Sequence, residues 1–376
     1  MSTMSDHMNP NPASASALDA ILVGQGLAGT LLSYNLLRQG ARILVIDRYR
    51  PGMSSAVAAG IINPVTGRRL AKSWMYETLM EHARGTYRDL ERRLQVPLWH
   101  ERVIHRALHH NFDMAEWDRR SSFPEYEGYL GETGRISPYP TILREAHGWG
   151  TLCKAAQVAV PTLLKAWRTH LSAAGGYWEH AFSYDRLEVT PAGVVYDGIR
   201  AKKIIFCEGA GATENPYFRY LPFRPTKGEL LLVRLPGVRL QGMVRNQLLL
   251  VPHRPAVFQG TAGQDELYWA GSTSRWEYAD PHPTPSVGES LVRQLQDMLA
   301  VRFEVVDHLA GIRPTVEDIR PYLGKHPNHP TVFIFNGLGT KGASLAPYFA
   351  TMLTAHLVTG RPLDPAVSIG RIPCPE

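Results

Sequence analysis

Gly24, Gly26 and Gly29 form a G-x-G-x-x-G turn, the clearest set of residues here whose type and spacing could do chemistry. In such a turn the first glycine allows a tight reversal and the second lets backbone approach a pyrophosphate. The third lets the following helix pack against its strand, so that the phosphates face the helix N-terminus. Asp47 lies eighteen residues after Gly29, where a carboxylate can accept hydrogen bonds from a ribose diol. Leu27, Ala28 and Arg48 adjoin these positions and join them as candidate nucleotide contacts.

This pattern leaves NAD and FAD both open, because each carries an ADP half. The small-residue run Ser54, Ser55, Ala56, Val57, Ala58, Ala59, Gly60, continuing to Asn63, suits a backbone that passes close to a flat ligand. Its structural alternative is a plain helix start capped by Ser54 or Ser55. A second glycine turn runs from Gly337 through Gly339, Thr340, Lys341 and Gly342 to Pro347. Amides at a helix N-terminus there would face negative charge on a bound cofactor. A glycine-rich turn with a solvated Lys341 is the simpler alternative.

The elements needed to hold these residues are legible around them. Ala20 to Val23 reads as a buried parallel strand, Leu27 to Gln39 as a helix stopped by Gly40, and Arg42 to Ile46 as the next strand. Regular alternation is lost from about 66 to 149 and returns with a predicted helix from Leu152 to Ala173. A strand from Lys202 to Cys207 follows. A strand-rich block from 226 to 310 precedes the strand Val332 to Phe335 and a last helix from Ala343 to Val358. Pro281 to Pro285 is expected to be a loop.

The chain has 376 residues, 44% hydrophobic and 20% charged, which points to a globular protein with more than one core. The formal charge of +6 comes from scattered arginines, so an anionic small ligand fits better than nucleic acid. No apolar run reaches the roughly 18 residues of a membrane span. Residues 1–17 read as a disordered tail without secretory character. Cys153, Cys207 and Cys374 have no metal or disulfide spacing, and Cys207 reads as a core residue, which together suit a cytoplasmic protein. His105 and His109 lack a third partner, so no metal site is expected.

Taken in order, Gly24 to Gly29, Asp47, Ser54 to Gly60, Phe206 to Gly211, Gly311 to Pro314 and Gly337 to Pro347 resemble the D-amino-acid oxidase family of flavoenzymes. Glycine oxidase, sarcosine oxidase and the oxidase part of MnmC are the nearest parallels. The resemblance implies an α/β fold in which a Rossmann-like FAD-binding domain of glutathione-reductase type is interleaved with an α+β substrate domain containing an antiparallel sheet. The expected FAD-binding segments are 18–65, 150–225 and 311–365, and the substrate-binding segments 66–149 and 226–310. It adds Gly209 and Ala210 to the cofactor contacts, sets Thr340, Lys341 and Gly342 beside the isoalloxazine, and implies noncovalent FAD, since the late cysteine of flavinylated members is missing.

The same resemblance gives Arg313 the grip on a substrate carboxylate, against a structural ion pair with Glu317 or Asp318. Lys341 and His253 are the other residues expected at the catalytic centre. Family members often carry a Tyr before a Val-Pro pair; this chain reads Leu248, Leu249, Leu250, Val251, Pro252, so either the pocket is more apolar or His253, Arg254, Tyr268 or Arg275 substitutes. Arg68 or Arg69, after Asn63, could meet an acidic group over the flavin. The expected reaction is oxidation of the C–N bond of a small amine or amino acid by hydride transfer to flavin N5, followed by imine hydrolysis, with oxygen or another electron acceptor. The alternatives are a tRNA-modifying oxidase like MnmC and a non-catalytic flavin-binding protein.

Overall fold

A computed structural model describes residues 17–253 and 267–374. Most of the expected tail, and Arg254, therefore lie outside the described residues. Ala20–Val23 and Ile43–Asp47 are buried at every position, because each is paired in parallel on both sides and covered on both faces. They belong to a six-stranded sheet ordered Tyr322–Lys325, Val332–Asn336, Ile204–Phe206, Ala20–Val23, Ile43–Asp47 and Tyr177–Glu179. All neighbours are parallel except the first two. Ala20, Leu22, Val45 and Phe335 share one core with the helices Leu27–Arg38, Val160–Ala173 and Gly342–Thr359. Ile21, Val23, Ile46 and Phe206 face the other way, onto a small antiparallel sheet that includes Gly193–Tyr196.

A second sheet of nine strands carries the rest. Its path of eight runs from Glu304–Arg313 through Thr226–Arg234, Leu267–Gly271, Leu249–Pro252, Met243–Arg245 and Trp99–Leu108 to Gly148–Val158 and Ile61–Ile62, and the ninth strand, Leu130–Gly134, pairs with Gly148–Val158 off this path. It is antiparallel apart from the pairing of Met243–Arg245 with Trp99–Leu108. The strands Gly148–Val158 and Glu304–Arg313 run across the expected segment boundaries at 150 and 311.

One expectation is overturned. The helix expected over Leu152 to Ala173 is a strand, Gly148–Val158, followed by the helix Val160–Ala173. Ala155, Ala156 and Gln157 favour helix one by one, but long-range pairing with Trp99–Leu108 outweighs that weak preference. Gly150 has no room for a side chain, since a Cβ there would lie 2.6 Å from the Trp117 ring. Pro161 then sits in the first turn of the helix, where its missing N–H costs nothing. A smaller difference is that Pro285 opens the helix Pro285–Met298, so the expected loop ends before it. His105 lies on the strand Trp99–Leu108, with its Nδ1 3.2 Å from Thr151 Oγ1.

Pro347 lies inside the last helix and cannot donate to the carbonyl of Ala343, four residues back. The fully buried Tyr87 replaces that bond, its hydroxyl donating to the Ala343 oxygen at 2.9 Å. The helix thereby keeps its N-terminal turn in place behind the glycines at 337–342. Among the described residues no helix is long and apolar enough to cross a membrane.

Candidate active site

A cavity of about 740 Å³ opens between the two sheets. Its inner end lies where the strand Ala20–Val23 stops. Gly24 there adopts φ +100°, and a Cβ on it would come within 2.5 Å of the Cys207 carbonyl oxygen. A Cβ on Gly29 would run into the Gly24 carbonyl, so Gly29 serves helix–strand packing and does not itself line the cavity. The Gln25 amide donates to Asp47 Oδ1 at 3.0 Å, and Arg168 Nη2 lies 3.4 Å from Oδ2. Burial raises the Asp47 carboxyl above its ordinary value, against the opposing pull of the Gln25 amide and Arg168. Ser55 Oγ accepts from the Leu27 amide at 3.2 Å, and the remaining first-turn amides have no acceptor within their own helix. A glycine cradle, a helix N-terminus and a carboxylate at the next strand end make a donor and acceptor set that fits the ADP half of FAD.

Gly24, Gly26, Leu27, Ala28, Asp47, Arg48, Ser54, Ser55, Ala59 and Gly60 come together on the cavity wall, joined from far along the chain by Gly209, Ala210, Gly339, Thr340 and Gly342. The mid-chain and late turns are tied by Asn336, whose Nδ2 donates to the Gly209 carbonyl at 2.9 Å while its Oδ1 accepts from the Gly337 amide at 2.8 Å. Gly337, at φ +75°, shapes the turn from behind. Asn63 is not brought in: its Oδ1 accepts from the Val65 amide and holds a local turn. Arg68 and Arg69 are exposed beyond that turn. Lys341 also stands outside the lining, with Nζ 3.2 Å from Ser73 Oγ and its ammonium pushed down by burial and by Arg320.

The other wall is a face of the nine-stranded sheet. Cross-strand partners Arg245, Leu249, Gly271 and Leu230 form one row on it, and Val251 with Trp269 the next. Arg313 reaches over Gly228, which must lack a side chain to admit the guanidinium. Its Nη1 donates to the Thr273 carbonyl at 3.1 Å and its Nη2 to Ser272 Oγ at 2.6 Å. Glu317 pairs instead with Arg224, and Asp318 with Arg371, so among the described residues Arg313 has no carboxylate partner. Burial pushes its guanidinium below the ordinary value.

His253 is not among the cavity-lining residues and packs on Trp269, ring centroids 4.2 Å apart, where burial lowers its imidazole to about 4. Tyr268 is fully buried and donates to the Val238 carbonyl, and Arg275 pairs by backbone with Lys227, so neither replaces the missing Tyr. On the strand Leu249–Pro252, Leu249 and Val251 line the cavity as apolar wall residues. Sequence reasoning also missed Arg245 and Glu208. Glu208 is half-buried in the cavity lining, accepts from Tyr184 Oη at 2.6 Å and Asn215 Nδ2 at 2.7 Å, and is raised by desolvation. Its signal was its place directly before Gly209, whereas Arg245 becomes visible only through strand register.

Residues 19–356 match the sequence model of the family described as FAD dependent oxidoreductase, DAO. The glycine oxidase of Pseudomonas aeruginosa is 25% identical over 92% of this chain and 96% of its own length. Among solved structures, iminodiacetate oxidase from Chelativorans sp. BNC1 superposes with a TM-score of 0.74 at 21% identity, covering 94% of this chain and 98% of that one. Glycine oxidase from Geobacillus kaustophilus gives 0.73 at 22% identity with the same coverage. These two likenesses establish the fold.

Proposed function

This chain belongs to the DAO family of FAD-dependent oxidoreductases, and from that premise we propose that it oxidises the C–N bond of a small amine or amino acid bearing a carboxylate. The single observation that carries this reading is Arg313, a half-buried guanidinium that lines the cavity and has no carboxylate partner among the described residues. A cation partly withdrawn from water and lacking a counter-charge is suited to a substrate carboxylate, which it can grip through parallel hydrogen bonds. Glycine and iminodiacetate, the compounds in the relatives' names, both offer such a group.

When bound, FAD supplies an acceptor at N5 for the hydride of the C–H bond beside the substrate nitrogen, the electron sink that no side chain provides. Residues Gly24, Gly26, Asp47, Ser54, Ser55, Gly209, Ala210, Gly339, Thr340 and Gly342 would hold it. The protein's share is orientation and exclusion of water. Arg313 fixes the carboxylate, Ser272 and Thr273 fix Arg313, and Leu230, Leu249, Val251 and Trp269 keep the wall apolar. No side chain on this wall is needed as a strong base if the amine enters neutral. The substrate then loses a hydride from carbon and a proton from nitrogen, and the resulting imine takes up water to release an amine and a carbonyl compound.

A direct test supplies glycine, N-methylglycine and iminodiacetate to the FAD-loaded protein with an excess of artificial electron acceptor and measures carbonyl product. Formation of one carbonyl per two electrons is expected. Reduction of the acceptor by no amine in a broad panel, with FAD fully bound, would rule the reading out.

A further inference from the structure

We propose that the substrate carries a second acidic group, held by Arg245 at the far end of the sheet row from Arg313, so that this site selects amines with two oxyanionic groups. The inference rests on the reading above, because it takes Arg313 as the partner of the first carboxylate.

Arg245 stands on the cavity wall with Leu249, Gly271 and Leu230 following it across three adjacent strands. The guanidinium of Arg313 is anchored at Ser272, next to Gly271. Two strand spacings, roughly 10 Å in all, therefore separate the Arg245 backbone from the Arg313 head group, and the Arg245 side chain spans part of that gap. Leu249, Gly271 and Leu230 offer no polar side chain between the two cations. The wall thus reads cation, apolar stretch, cation, the complement of a short chain with an acid at each end.

The setting of Arg245 argues that an anion completes it. Among the described residues no carboxylate forms an ion pair with it, and its cross-strand neighbour is another cation, Arg106. Arg106 donates through Nη1 to the Gly67 carbonyl at 2.9 Å, and its guanidinium is lowered first by burial and then by the charge of Arg245, with Asp113 opposing. Like charges directly opposite on a sheet destabilise it. Arg245, exposed on its strand and lining the cavity, thus has a half-buried cation as its cross-strand neighbour, and a bound oxyanion would turn that repulsion into attraction. A carboxylate and a phosphonate share that chemistry.

The test uses FAD-loaded protein and non-oxidisable probes, read by calorimetry so that turnover is not required. Glutarate, its phosphonate analogue and pentanoate present the same chain with and without the second charge. Glutarate is expected to bind at least about 10-fold tighter than pentanoate, as hydrogen bonds to a charged group allow. Arg245→Gln should remove that preference, with about a 10- to 100-fold loss for glutarate, and Arg245→Lys should keep part of it. Flavin content and melting temperature confirm that each variant is folded. A phosphonate preference over glutarate would assign the second group as phosphonate and uphold the proposal. Equal binding of glutarate and pentanoate, or an equal loss for both in Arg245→Gln, overturns it while the Arg313 reading stands. If neither probe binds and Arg313→Gln changes nothing, both readings fall together.

Discussion

Arg313 has the environment of a group waiting for a carboxylate, and its replacement is the plainest test at the scale of one residue. Arg313→Gln removes the charge and the reach to Ser272 while keeping a polar amide. The loss of a charge-assisted pair predicts a fall in kcat/KM of roughly 100-fold for any carboxylate-bearing amine, measured in steady state with flavin content held equal. His253 makes a different prediction. Its folded imidazole is lowered to about 4 from 6.5, so the folded state favours the neutral ring. Its contribution to stability is present above pH 6.5 and is lost as pH falls toward 4. Melting temperatures across that range should drop less steeply in His253→Phe than in the unmodified protein. An unchanged slope would show that the ring is not held neutral.

Elements rather than single residues decide where the glycine turns sit. Tyr87, on the helix Tyr76–Leu94, supplies the bond that Pro347 removes from the last helix. Tyr87→Phe leaves a buried carbonyl without a donor and should cost about 1–3 kcal/mol in a urea titration, with weaker FAD retention because the same helix carries Gly342. Gly150→Ala probes the strand that sequence periodicity takes for helix. Its new methyl must displace Trp117, with an expected cost of about 1–3 kcal/mol; a neutral or stabilising effect would speak for a helix instead. The opening unit was legible because hydrophobic runs, glycines and an acid all lie within about thirty residues, where local rules suffice. The strand Gly148–Val158 was not, because what makes it a strand is Trp99–Leu108, some fifty residues earlier. For the same reason Arg245 was invisible: its partnership with Leu249 and Gly271 exists only once register is known.

On the scale of the whole molecule, the two sheets divide the work. The parallel sheet gathers chain segments near residues 24, 47, 209 and 339 at one end of a cavity, and the larger sheet presents an apolar wall with two cations at the other. Ordered glycine motifs and the resemblance they carry made the first half legible, whereas Asn63, Lys341 and His253 were expected in the cavity and are not among its lining residues. Small polar residues near a motif do not reveal which way they point. The central claim is that an amine held by the sheet wall delivers its electrons to FAD held by the glycine turns. Anaerobic mixing of FAD-loaded protein with carboxylate-bearing amines, followed in the visible flavin band, tests this most directly. Bleaching that saturates with amine concentration and is slowed in Arg313→Gln is predicted. A flavin that stays oxidised in the presence of every such amine, or bleaches equally fast without Arg313, would contradict the account.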